Sequence, residues 1–154
     1  LDSSAPDEER VYLARLDEEQ FAWLERVLAA TDPRTHILIL SHIPILSACA
    51  YFDGDNESTG DWVVPGKWVH LDARRLKDLF LRHRNVRACL SGHIHLLDRV
   101  EYNGVTYLCN GAVCGDWWKG PYQETPEGYA LVNLYGDGSF DCEYTPFGWR
   151  AEPA

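Results

Sequence analysis

Two hydrophobic periods run along this chain, and the change from one to the other marks its elements. Residues 17–30 place Phe21, Leu24, Val27 and Leu28 at the spacing of one helical face. Asp17, with Gln20 three residues on, has the form of a capping box, and Leu16 and Phe21 stand at staple spacing around it. Asp32-Pro33 ends that helix, because proline cannot continue the hydrogen-bond ladder. A nearly unbroken apolar run at 36–40 follows, as expected of a strand covered on both faces. Residues 71–84 predict a second helix with Leu76, Leu79 and Phe80 inward, and residues 86–90 a second buried strand. Strand, helix, strand in that order is a βαβ unit with a right-handed crossover.

The remainder has the pattern of hairpins. Residues 99–102 and 105–109 flank Asn103-Gly104, a pair suited to a type I′ turn. Residues 129–135 and 140–144 flank Gly136-Asp137-Gly138, and an aromatic loop at 115–122 lies between the two hairpins. Residues 6–15 are charged and predict a loop or short helix. Leu1-Asp2-Ser3-Ser4 has the pattern of a strand end. Residues 48–67 form a long insertion rich in Asp, Gly and aromatics, and loops of that length are usually functional or mobile.

A chain of 154 residues, 45% hydrophobic, is sized for one domain with a real core. Its net charge of -10 argues against a binder of nucleic-acid duplex, which needs a basic face. That charge also repels a phosphate ester unless bound cations reverse the field locally. The apolar runs are far shorter than a membrane span. The five cysteines form neither a CxxC pair nor a zinc-ribbon spacing, and Cys89 and Cys109 sit in apolar runs. They read as buried reduced thiols, which leans toward a cytoplasmic location and leaves a periplasmic or secreted one open.

The candidate chemistry lies where the two strands end. Ser41-His42 follows the first, and Gly92-His93-Ile94-His95 follows the second. Ligands of α/β sheets gather at the carboxyl ends of parallel strands, so parallel pairing puts three imidazoles on one edge. Gly92 permits the bend that aims the next side chains. In such a turn His93 and His95 can straddle a site and reach two cations about 3.5–4 Å apart. A lone histidine at a strand end is more often structural, but two matching contexts separated by a helix favour metal ligation by His42, His93 and His95. His36, His70 and His83 have no motif context and read as structural or surface residues.

Ser41-His42 and Gly92-His93-Ile94-His95 resemble the last two signature motifs of the calcineurin-like metallophosphoesterases. The likeness extends through Leu1-Asp2-Ser3, Gln20-Phe21-Ala22-Trp23-Leu24, Ser41-His42-Ile43-Pro44, the hairpin after the GHIH run, and the tail Asn110-Gly111-Ala112, Trp117-Trp118 and Pro126-Glu127-Gly128-Tyr129. In style it is nearest the bacterial cyclic-nucleotide phosphodiesterase and purple acid phosphatase-like branch. The resemblance implies half of a four-layer α/β/β/α sandwich, with a mixed sheet and carboxyl-terminal β-hairpins. It implies two divalent metals (Mn, Fe or Zn) in the complete enzyme, with His42 and His93 on the second metal and His95 on the first. It also implies a phosphodiester or phosphomonoester substrate, attacked in line while the cations clamp its phosphoryl oxygens.

The family's Asp-x-His, Gly-Asp and Gly-Asn-His motifs are not matched. Gly60-Asp61 and Gly115-Asp116 carry only the Gly-Asp dipeptide, in aromatic loops. The expectation is therefore that residues 1–154 are the carboxyl-terminal half of a larger phosphoesterase domain, by truncation, proteolysis or gene splitting. Such a chain would hold at most one metal weakly and would have no assigned catalytic residue of its own. Its partners would be a small phosphoester and either the missing amino-terminal half or a second copy.

Two other readings stand beside this one. The chain could be a non-catalytic, self-associating binding module that presents its aromatic loops. It could be a mononuclear metal domain with a fourth ligand among Asp53, Asp55, Asp61 and Asp116. Asp53-Gly54-Asp55-Asn56-Glu57 has oxygen ligands at alternate positions but lacks the EF-hand Gly and Glu, so it reads as a solvated acidic loop. Among further contacts, Asn110, Trp117 and Trp118 are candidate substrate-binding residues, and Trp62, Trp68 and Tyr122 could wall the same pocket. Lys119 and Arg99 are possible phosphate contacts whose default is surface charge.

Overall fold

The structure is a computed structural model that describes residues 1–6 and 12–151. Its elements, in chain order, are β1 (Ser4–Ala5), β2 (Leu13–Ala14), α1 (Glu18–Ala30), β3 (Ile37–Leu40), a 3-10 turn (Cys49–Tyr51), α2 (Ala73–Arg82), β4 (Val86–Ser91), β5 (Asp98–Tyr102), β6 (Val105–Cys109), β7 (Gly128–Leu134) and β8 (Phe140–Pro146).

Helix α1 begins as its sequence dictates. The Asp17 carboxylate accepts the Gln20 N–H at 2.7 Å. Only that half of the capping box forms. Gln20 instead turns its amide to the Asp2 peptide, accepting from its N–H at 2.6 Å and donating to its carbonyl at 3.0 Å. Leu16 and Phe21 are both buried in the main core, as a staple requires. Phe21, Leu24 and Leu28 bury one stripe, while Val27 is 38% exposed. At about 100° per residue Val27 falls roughly 60° beyond Leu24, on the flank of the stripe.

The central sheet has the order β3-β4-β6-β5. β3, β4 and β6 run parallel, and β5 returns antiparallel to β6. Helix α2 joins β3 to the parallel β4, which gives the βαβ unit. Leu76, Leu79 and Phe80 of α2 meet Phe21, Leu24 and Leu28 of α1 in the core. The β5–β6 turn has Asn103 at φ 53° and Gly104 at φ 81°, the two positive values of a type I′ turn. β7 and β8 form a separate two-stranded sheet from Gly128 paired with Pro146 to Leu134 paired with Phe140.

Several expectations need correction. β3 is not covered on both faces: it is the edge strand of four, only Ile39 is buried, and Leu40 is 60% exposed. The fully covered strand is β6, between β4 and β5, with all five residues buried. Helix α2 is shorter than 71–84, and its N-cap Asp72 makes no side-chain cap. That carboxylate is committed elsewhere, to His70 Nδ1 at 2.8 Å and to the Leu16 N–H at 2.9 Å. Of the charged segment 6–15, residues 7–11 lie outside the described residues, and Leu13–Ala14 pairs with Ser4–Ala5 as strand rather than loop or helix. The strand near the amino end is thus Ser4–Ala5, while the Leu1 nitrogen donates to the Leu40 carbonyl at 2.7 Å.

The long insertion is tied down. Its Asn56 amide donates to the Ala50 carbonyl at 2.7 Å, and both Asp53 and Asn56 are buried. The solvated-loop reading therefore holds for Asp55 and Glu57, which are exposed, and fails for Asp53. Asp98 fixes the loop after β3 to the hairpin. Its carboxylate accepts from the Ser47 hydroxyl at 2.9 Å and from the Cys49 and Cys109 N–H groups at 2.8 and 3.3 Å. Beneath the GHIH turn, Cys49, Ala50, Ile94, Leu96 and Cys109 form a second small core.

Candidate metal centre

The parallel pairing of β3, β4 and β6 brings their carboxyl ends to one edge. The chain leaves β3 at Ser41-His42, β4 at Gly92-His93 and β6 at Asn110. Main-chain bonds tie the three exits together: Gly92 N–H donates to the His42 carbonyl at 3.0 Å, and Asn110 N–H to the Ser91 carbonyl at 2.9 Å. His93 and His95 both adopt left-handed backbone, at φ 72° and 65°. Such values cost energy for a non-glycine residue and cluster at functional sites. Ile94 between them is buried in the small core, which anchors the turn while the two imidazoles leave it.

The turn brings two of the three histidines together. His42 Nε2 lies 3.0 Å from His93 Nδ1, with the rings edge to face at 4.8 Å between centroids. The other His93 nitrogen, Nε2, meets the Tyr12 hydroxyl at 3.2 Å. His95 stands apart. Its Nδ1 lies 2.7 Å from the Gly115 carbonyl, which can only accept, so Nδ1 carries the proton and Nε2 the lone pair. Trp117 lies over the His95 ring at 4.9 Å. Among the described residues no group of three or more His, Cys, Asp or Glu side chains is placed to hold a metal ion, and none of Asp53, Asp55, Asp61 or Asp116 supplies a fourth ligand.

Burial pushes the His93 imidazole down to about 4, with the charges of His42, His95 and Lys67 adding to the effect, while the Lys67 carbonyl opposes it. His93 is therefore a neutral lone-pair donor at any physiological pH, the form a metal ligand must have.

A cavity of about 470 Å³ opens beside His93, lined among others by Tyr12, Asp53, Lys67, Trp68, Trp117 and Tyr122. The Tyr122 hydroxyl donates to the buried Asp53 carboxylate, which removes Asp53 from solvent. Trp117 and Trp118 hold left-handed backbone at φ 48° and 67°. Only Trp117 faces the cavity; Trp118 packs on Trp149 at 5.3 Å. Trp62 packs against Tyr51 and Phe52.

Asn110 is at the strand exit as expected, but its amide donates to the Ser91 carbonyl at 3.3 Å and its oxygen accepts from the Cys142 thiol at 3.9 Å. Arg99 pairs with Glu101 at 2.8 Å, and Lys119 is an exposed surface charge. His70 is buried on Asp72, His36 accepts from Arg87 at 3.2 Å, and His83 closes α2, all structural positions. Asp53, read as a possible fourth ligand, lines the cavity instead, whereas Tyr12, Lys67 and the Gly115 carbonyl were not legible as site groups. They reach the histidines from distant segments and share no motif with them.

No protein-family model matches this sequence. It is 26% identical over 132 residues to the 3',5'-cyclic adenosine monophosphate phosphodiesterase CpdA of Escherichia coli K12, and equally to that of strain O157:H7. Each alignment covers 83% of this chain and 43% of the relative, so the chain spans less than half the length of these curated relatives. Its fold matches a dimetal phosphatase from Danio rerio with a TM-score of 0.56 at 20% identity, over 81% of this chain and 34% of that one. The mixed α/β architecture is thus part of a dimetal phosphatase fold. Together the sequence relationship and the fold support the likeness of this chain to the calcineurin-like metallophosphoesterases.

Proposed function

We propose that the complete protein hydrolyses a phosphoric ester with a dinuclear centre of divalent metals, and that this chain contributes His42, His93 and His95 to it. The observation that carries this reading is the 3.0 Å approach of His42 Nε2 to His93 Nδ1 at the carboxyl edge of two parallel strands. Two nitrogens each about 2.1 Å from one cation, and at right angles around it, stand about 3 Å apart. A cation would replace the proton now shared by the pair. The outer nitrogens of His93 and His95 already have the partners that oriented imidazole ligands need. His95 on its separate lone pair suits a second cation rather than the same one.

Bound divalent cations supply positive charge to phosphoryl oxygens and activate water at neutral pH. With a net charge of -10 the chain needs that charge to admit an anionic ester. Lys67 adds a cation at the cavity, and Trp68 and Trp117 offer apolar walls for the organic group. The remaining ligands would come from an amino-terminal half carrying the unmatched motifs. The cyclic-nucleotide phosphodiesterase relative makes a phosphodiester the first substrate to assay.

The test supplies that amino-terminal half and follows hydrolysis of an aryl phosphodiester with manganese, in wild type and in His93→Ala. Turnover by the wild type, lost in the variant, is expected. Equal rates in the two would defeat the proposal.

A second reading, a self-associating module without catalysis, draws on one observation. Tyr129 and Leu131, on one face of β7, are 44% and 49% exposed, and Leu40 on the edge strand β3 is 60% exposed, apolar groups that a second copy could cover. A stable dimer that binds no manganese would favour it.

A further inference from the structure

We infer that Tyr12 is the positioning residue of His93, and that its phenolic oxygen decides which imidazole nitrogen faces His42. The inference rests on the proposed role of His93 as a ligand, but its central claim concerns a tautomer and can be read without metal. Tyr12 stands immediately before β2, eighty-one positions from His93, and no motif connects them.

His93 has two nitrogens and two polar neighbours. Nδ1 lies 3.0 Å from His42 Nε2, and Nε2 lies 3.2 Å from the Tyr12 oxygen. A neutral imidazole donates from one nitrogen and accepts at the other. Proton placement is therefore a single choice for the whole chain of groups. If Tyr12 accepts from Nε2–H, Nδ1 is a lone pair aimed at His42, and His42 donates to it. If Tyr12 donates, Nδ1–H points at His42 and the site offers a proton where a cation must sit.

Two features favour the first arrangement. The neighbouring ligand candidate, His95, already shows the same logic enforced by a group that cannot donate: the Gly115 carbonyl fixes its Nδ1–H and frees Nε2. Tyr12 also lines the cavity, where its own O–H has an outlet toward solvent or an anionic ligand. Its place is fixed by main chain rather than by chance packing. Two residues on, Ala14 donates to the Gly66 carbonyl at 3.0 Å and accepts from the Leu71 N–H at 2.8 Å. The phenol and imidazole meet edge to face, 6.0 Å between centroids, with the hydroxyl 3.2 Å from Nε2.

The experiment combines ring-nitrogen NMR with metal titration on wild type, Tyr12→Phe and Tyr12→Gln, with thermal melting to confirm that each variant folds. In metal-free wild type, His93 is expected as the Nε2–H tautomer. Tyr12→Phe should mix the two tautomers and weaken manganese binding about 10- to 100-fold. Tyr12→Gln, which restores an acceptor, should recover most of both. A His93 that is Nδ1–H in wild type, or whose tautomer and manganese affinity are unchanged in a folded Tyr12→Phe, would overturn the inference. Should wild type bind no manganese while the tautomer shift occurs, the positioning role stands and metal ligation by His93 within this chain fails.

Discussion

His42 Nε2 stands 3.0 Å from Nδ1 of His93, although fifty-one residues separate them. The contact exists because β3 and β4 pair in parallel with Leu40 opposite Leu90, so both chains leave the sheet at the same level. A one-residue change of register would send one imidazole to the other face.

The pair should act as one unit toward metal. Removing either imidazole should cost more than the roughly 10- to 100-fold loss typical of an outer partner. Removing both should cost much less than the sum, because the second ring alone is a poor site. Isothermal titration of manganese into His42→Ala, His93→Ala and the double variant checks this. Additive losses would show that the two rings do not share a cation.

The Gly115 turn should tolerate no side chain. At φ 49°, a β-carbon there would lie 2.4 Å from the Gly120 carbonyl and 3.0 Å from the buried Glu127 carboxylate. The left-handed backbone alone costs an L residue roughly 1–2 kcal/mol. Gly115→Ala is expected to lower the urea midpoint and to shift the ring resonances of His95, which the Gly115 carbonyl holds. Gly136→Ala, where nothing lies within 4 Å, should be near neutral. Equal effects of the two substitutions would refute the crowding argument.

His93 should remain neutral in the metal-free protein until the pH approaches about 4. Its folded value lies below the unfolded value of about 6.5, so on acidification the unfolded chain takes up this proton first. Stability should therefore fall as pH drops from about 6.5 to about 4, and this contribution should flatten below. Proton NMR of the His93 ring across that range reads the midpoint directly. A midpoint near 6.5 would show that burial and the neighbouring charges do not act as described.

Asp72 gives an acid dependence of its own. Burial works to raise its carboxyl, but hydrogen bonds from His70 and the Leu16 N–H outweigh it and hold the group below the usual carboxylate range. A depressed folded value stabilises the protein above the unfolded value of about 3.9, and that stability is lost as the pH falls further. Asp72→Asn should cost about 1–3 kcal/mol at pH 7, the scale of a hydrogen bond to a charged group. The gap from wild type should shrink below about pH 4. Urea denaturation at pH 7 and pH 3 checks it, and a constant gap would point to packing instead.

The local elements were legible because their causes are local. Asp17, Leu16 and the spacing of Phe21, Leu24 and Leu28 set α1, and Asn103-Gly104 set the turn between β5 and β6. The strand exits carrying His42, His93 and His95 were equally visible, since a buried run followed by Ser-His or Gly-His is a contiguous pattern.

What surrounds those exits was not. Burial depends on which neighbour a strand finds, so β3, apolar throughout, became an exposed edge while β6 was fully covered. Asp53 looked like solvated charge until Tyr122, sixty-nine residues away, donated to it. Asp72 looked free to cap its helix until His70 and Leu16 claimed it. Sequence alone thus determined the helices, the turns and the three imidazoles. Only the tertiary structure decided that two of these meet, that the third bonds to the Gly115 carbonyl, and that Tyr12 backs His93. Hydrogen-bond partners across twenty or more residues follow from sheet order and register, which no local pattern encodes.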